Sequence, residues 1–72
     1  MTDSEREIMC YFRRYRIGAS EMLFFSTGPA KSHPQQFYHA MTSLVRSGMV
    51  VKERHPHAYS LTPLGYRASL SA

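Results

Sequence analysis

Pro34-Gln35-Gln36-Phe37-Tyr38-His39-Ala40-Met41-Thr42-Ser43-Leu44-Val45-Arg46-Ser47-Gly48 leads directly into Met49-Val50-Val51-Lys52-Glu53-Arg54. At this junction the apolar period changes from that of a helix to that of a strand. Proline, with its fixed φ and missing amide, suits the first helical position, and Ser32 or His33 stands ahead of it as cap. Phe37, Met41, Leu44 and Val45 form an inward stripe, with Ala40 beside it. Gln35, His39, Thr42 and Arg46 project to the other side, flanked by Gln36 and Ser43. Gly48 is placed to end the helix as a left-handed C′ residue.

Downstream, residues 49–54 read as a strand from their β-branched content, and Arg54-His55-Pro56-His57 as a turn. Ala58-Tyr59-Ser60-Leu61-Thr62 is the returning strand, with Tyr59 and Leu61 on one face. Thr62-Pro63 pairs a cap with a proline, so a short final helix begins there.

Upstream, Ser4 and Glu7 have capping-box spacing and predict a first helix. Glu5 and Glu7 suit the positive end of its dipole, and Arg13, Arg14 and Arg16 the negative end. Ile8, Tyr11, Phe12 and Tyr15 make its buried face, with Arg6, Cys10 and Arg13 opposite. Ile17 and Gly18 end it, and Ile17-Gly18-Ala19 reads as a short strand. A second helix is expected from Ala19 or Ser20 to Phe25. Its consecutive Met22, Leu23, Phe24 and Phe25 cannot all face one neighbour, so part of this run is expected at the surface or against a partner. Ser26 to His33, with the Gly28-Pro29 turn pair, reads as a connector.

The expected order is helix, short strand, two helices, hairpin, closing helix. This is an α+β chain of winged helix-turn-helix type: a three-helix core, a two-stranded β-hairpin wing and a short C-terminal helix. The hairpin would close the core through Met49, Val51, Tyr59 and Leu61. Leu44-Val45-Arg46-Ser47-Gly48-Met49-Val50, followed by Tyr59-Ser60-Leu61-Thr62-Pro63-Leu64-Gly65, resembles the L-x-x-x-G-hydrophobic-[I/V] … Y-x-L-T-x-x-G pattern of winged helix regulators of the MarR and PadR type. The resemblance covers roughly residues 37 to 70. It implies that the threonine caps a helix leaving the wing strand and that the glycine lets this helix lie close to the sheet.

Nine Lys/Arg against five Asp/Glu give a net charge of +4, which points to an anionic partner, nucleic acid first. The helix of residues 34–47 is the candidate reader of a major groove. Gln35 and Gln36 sit in its first turn, where glutamine can bond adenine at two atoms, and His39, Thr42, Ser43 and Arg46 follow. Lys31, Ser32 and His33 lie before it. Lys52, Arg54, His55 and His57 cluster around the hairpin turn, where cations would fix register on phosphates. Solvated helix faces and charged hairpins also account for such patterns without a ligand.

Seventy-two residues allow one domain, residues 1–72, because domains usually run to about 50–200 residues. No apolar run approaches the roughly 18 residues of a membrane span, and the polar Met1–Glu5 stretch does not read as a signal peptide. The single Cys10 cannot form an internal disulfide, which fits a reducing, cytoplasmic setting. No nucleophile elbow, phosphate loop or metal-ligand spacing is present, so neither enzyme activity nor a cofactor or metal is expected.

These readings lead to a small sequence-specific DNA-binding protein, a transcriptional regulator of the compact kind found on phages and mobile elements, which acts by occupancy. Two copies are expected on a full site, hence a weak homodimer or cooperative binding. The rival is a protein-interaction module that inhibits or joins a larger complex, with Met22, Phe24, Phe25 and Tyr38 as its contact residues.

Overall fold

A computed structural model describes all 72 residues. Its first helix, α1 (Asp3–Arg14), starts two residues earlier than the Ser4/Glu7 spacing suggested. Thr2 and Glu5 form the capping box instead: the Thr2 amide donates to Glu5 Oε1 at 2.6 Å, and the Glu5 amide donates to Thr2 Oγ1 at 3.1 Å. Both pairs have the required three-residue interval. The earlier one places Asp3 and Glu5 at the positive end of the dipole and lengthens the packed helix. Ile8, Met9 and Phe12 are its buried apolar side chains, with Glu5 buried beside them, since α1 packs against two further helices and needs a broad apolar face. Tyr11 is only half-buried and Tyr15 is 58% exposed, which corrects the expected stripe. The left-handed residue that closes α1 is Arg16 (φ 55°), not Gly18. The Arg16 amide donates to the Arg13 carbonyl and the Ile17 amide to the Phe12 carbonyl.

The chain then turns through Ser20 (φ 69°) into a strand, not a helix. β1 (Met22–Phe24) pairs antiparallel with a later strand, and the short strand expected at 17–19 reduces to one bridge from Ala19 to Leu61. A strand resolves the crowding of four consecutive apolar residues, because its side chains alternate between faces. Leu23 and Phe25 turn inward, whereas Met22 and Phe24 turn outward. Phe25 is 3% exposed and packs on Phe12, Phe37 and Tyr59, so it is a core residue and not a contact surface.

The second helix lies within the expected connector. α2 (Pro29–Ser32) is a single turn entered through Gly28, whose φ of 69° and ψ of −137° only glycine adopts readily. A Cβ there would also meet the Tyr11 hydroxyl at 2.7 Å. α3 (Pro34–Arg46) follows, with Pro34 at its first position as expected. Neither Ser32 nor His33 caps it by side chain: the Ser32 hydroxyl donates back to the Gly28 carbonyl at 2.8 Å. Ala40, Met41 and Leu44 are its buried face, Phe37 is half-buried, and Val45 is exposed at the edge of the stripe.

The Gly48 amide donates to the Val45 carbonyl and the Met49 amide to the Leu44 carbonyl, which sets the phase of the next strand. In β2 (Val50–Lys52) it is Val50, 1% exposed, that enters the core. Val51, 46% exposed, faces outward, the reverse of the expected pattern. β3 (Ala58–Leu61) lies between the other strands, giving the sheet order β1-β3-β2 with Val50 opposite Leu61 and Lys52 opposite Tyr59.

Thr62 joins the sheet to α4 (Pro63–Leu70). Its hydroxyl accepts from the Gly65 amide at 3.0 Å and donates to the Gly48 carbonyl at 2.6 Å. The architecture is therefore α+β, with four helices and a three-stranded antiparallel sheet around Ile8, Phe12, Phe25, Met41, Leu44 and Leu61. No helix is long and apolar enough to cross a membrane.

Candidate nucleic-acid interface

Helical spacing places Gln35, His39, Thr42 and Arg46 on one row of α3, opposite the buried Ala40 and Leu44. Gln35, His39 and Arg46 are exposed and Thr42 is half-buried, its hydroxyl donating to the Tyr38 carbonyl at 2.8 Å. Gln36 and Ser43 flank this row on the α1 side. The Glu5 carboxyl is held below its usual range first by the Thr2 amide and next by the Ser43 hydroxyl. Ser43, itself exposed on this flank, thus also serves the α1–α3 contact.

On the other flank, α3 and the hairpin enclose a groove of about 410 Å³. Tyr38, Thr42, Val45 and Arg46 form its helical side, and Lys52 and Tyr59 its sheet side, above Met41. Burial, and secondarily the neighbouring Tyr38, push the Tyr59 phenol up from its ordinary value, so Tyr59 is a neutral hydrogen-bond donor at neutral pH. Tyr59 reads in the sequence as part of the hairpin's inner face. Its place opposite Lys52 in the strand register is the signal that assigns it to the groove.

The hairpin cations differ in their freedom. Lys52 Nζ donates to the Glu53 carbonyl at 2.7 Å and the His55 carbonyl at 3.2 Å, closing the turn. Arg54 and Lys31 are exposed and make no side-chain hydrogen bond or ion pair. His55 leans toward Phe24, with ring centroids 6.2 Å apart. His57 adopts φ 63°, and its carbonyl accepts from the Phe25 amide at 2.8 Å. The hairpin turn is thereby anchored to β1 at one side and borders the groove at the other. His33 joins Gln35 and Gln36 around an open depression at the start of α3.

The carboxylates account for the sign of this surface. Asp3 pairs with Arg6, Glu5 accepts from Thr2, Glu21 from the Gly18 amide at 2.5 Å, and Glu53 from the buried Ser60 hydroxyl at 2.5 Å. The fifth, Glu7, lies on α1. No carboxylate lines the α3–hairpin groove, whereas Arg46 and Lys52 do. No group of three or more His, Cys, Asp or Glu side chains is placed to hold a metal.

Comparison with protein-family models, with curated proteins and with solved structures finds no match to this chain.

Proposed function

We propose that the chain is a winged helix-turn-helix domain that binds double-stranded DNA in the cytoplasm as a transcriptional regulator. The element order α-β-α-α-β-β-α and the strand order β1-β3-β2 support the fold assignment. The observation that carries the functional reading is the outward row Gln35, His39, Thr42 and Arg46. It borders a groove with cations and without a carboxylate. In this reading α3 enters the major groove, and Gln35, Gln36 and His39 meet base edges. Lys31, His33, Arg46, Arg54 and the hairpin histidines position the phosphates, and the Tyr38 and Tyr59 hydroxyls add donors. Lys52 holds the hairpin turn in shape as well as contributing charge.

Selection from a randomised duplex library tests the base-reading role. The native chain should enrich a defined motif. Replacing Gln35 and Gln36 by alanine should relax that motif while leaving binding to non-specific duplex nearly unchanged, and an equal fall in both would refute base reading by these residues.

A second reading, a protein-interaction module, draws on a different surface: the exposed Met22 and Phe24 of β1. It is compatible with DNA binding, since β1 is the sheet edge farthest in strand order from β2.

A further inference from the structure

All four histidines of the chain fall within residues 31–57. His33 immediately precedes α3, His39 lies on its outward row, and His55 and His57 stand in the hairpin turn. Their side chains are exposed, and no ring nitrogen forms a hydrogen bond or ion pair within the protein. Two of the rings lean on aromatic neighbours, His39 on Tyr38 at 5.9 Å and His55 on Phe24 at 6.2 Å between centroids. The same stretch holds four Lys/Arg side chains, Lys31, Arg46, Lys52 and Arg54, and a single acid, Glu53.

The groups around these rings supply cations and no bound anion. Lys31 on α2 precedes His33, whose depression is otherwise lined by Pro34 and the uncharged Gln35 and Gln36. One helical turn from His39 lie Gln35, Gln36, Thr42 and Ser43, and Arg46 and Lys52 line the groove on that flank of α3. Lys52 and Arg54 flank the hairpin turn, and β1 brings it Phe24 and Phe25, without charge. Among the nearby acids, Glu53 accepts from the Ser60 hydroxyl at 2.5 Å. On α1, which packs against α3, Asp3 pairs with Arg6, Glu5 accepts from the Thr2 amide, and the exposed Glu7 has no ion-pair partner. None of these carboxylates pairs with a ring, so the charged imidazoles have no internal counterion. A duplex would supply one.

We propose that duplex binding by this surface takes up protons at His33, His39, His55 and His57, so that affinity rises as the pH falls from about 8 to about 6. The inference rests on the DNA-binding reading and adds its regulation. Imidazole changes charge within this range, and phosphate oxygens placed against it favour the charged form. The protonated ring donates from both nitrogens, to phosphate oxygens or, at His39, to the O6 and N7 acceptors of guanine. Complete protonation would raise the cations of residues 31–57 from four to eight, and the net charge of the chain from +4 to +8. By linkage, protons taken up on binding make affinity fall as the pH rises. The window lies above the range in which Glu5 loses its stabilising effect, whose ordinary value is 4.5, so fold stability does not supply the response.

The test is the affinity of the full chain for a mixed-sequence duplex at about pH 8 and about pH 6, at one ionic strength. Affinity should rise about tenfold, from two histidines charged against phosphates at about three- to fourfold each. The slope of log affinity on log salt should steepen by about two. A variant carrying His33→Gln, His39→Gln, His55→Gln and His57→Asn changes exposed side chains only, and asparagine suits the left-handed backbone at His57 (φ 63°). It should bind within about threefold of native at the higher pH and lose most of the rise. It also separates the histidines from the Met1 amino group near Glu5, since α-amino groups titrate in the same range. Calorimetry of the native chain in two buffers of different ionisation enthalpy counts the protons directly, and about one or more should be taken up near pH 6.5. Native binding that pH leaves unchanged, an absence of proton uptake, or an equal rise in the folded variant would overturn the proposal and leave duplex binding standing. An absence of duplex binding at both pH values would overturn it together with the DNA-binding reading.

Discussion

The Lys52 ammonium lies 5.3 Å from the centre of the Tyr59 ring, its partner across the β2–β3 ladder, while bonding two carbonyls of the hairpin turn. One side chain therefore joins the shape of the hairpin to the floor of the groove beside α3. The same relationship separates it from Arg54, which has charge but no internal partner.

That difference is measurable. Lys52→Ala should lower stability by about 0.5–1 kcal/mol, because the bonds are exposed and the ring contact modest. Arg54→Ala should leave stability within about 0.5 kcal/mol of native. Both should weaken duplex DNA binding for all sequences alike. Urea denaturation beside binding to two unrelated duplexes makes the comparison. Equal stability of the two variants would remove the turn-closing role from Lys52.

Gly65 is required by contact. A Cβ at this position would fall 1.9 Å from the Met49 carbonyl oxygen, a main-chain atom that cannot swing aside. Gly65→Ala should destabilise the fold by about 3 kcal/mol or more, through loss of the α4–sheet contact. Thermal unfolding followed by circular dichroism checks this, and a melting temperature within a degree or two of native would contradict the packing described.

Arg16 holds a left-handed conformation that its Cβ disfavours. Arg16→Gly should stabilise the chain by about 0.5–1 kcal/mol, the relief of strain exceeding the added freedom of the unfolded chain. A destabilised variant in chemical denaturation would show that the Arg16 side chain makes a larger contribution elsewhere.

Acid sensitivity should trace in part to Glu5. Its folded-state pKa lies below the ordinary value of 4.5, because the Thr2 amide and then the Ser43 hydroxyl favour the carboxylate. The stabilisation is therefore complete above about pH 4.5 and is lost as the pH falls through the lower, folded value. Melting temperatures of the native chain should decline across that window, and those of Glu5→Gln should decline less. Parallel curves for the two proteins would exclude Glu5 as a source of the decline.

Much of this arrangement can be read from residue types. Pro34 and Gly48 bracket α3, and Thr62-Pro63 starts α4, because each residue imposes a backbone state that few others share. The outward row of α3 follows from spacing alone. Three features depend on contacts distant in sequence. Met22–Phe24 is a strand because β3 stands beside it, which local apolar content cannot signal. Val50 rather than Val51 faces inward because Met49 is tied to Leu44 and Thr62. The clear surface around Arg46 arises from four carboxylates occupied with partners elsewhere, an arrangement invisible in a net charge of +4.

In the proposed reading, α3 and the hairpin form an electrostatic and base-reading surface for duplex DNA. Its most direct test is the affinity of the native chain for duplex DNA between 50 and 200 mM salt, with Arg46→Ala alongside. Contact of about three phosphates, through Lys31, Arg46 and Arg54, predicts a slope of log affinity on log salt near −3, a fall of about 40-fold over this range. Arg46→Ala should reduce the slope by about one. An absence of duplex binding at 50 mM salt, or an affinity that salt leaves unchanged, would contradict the account.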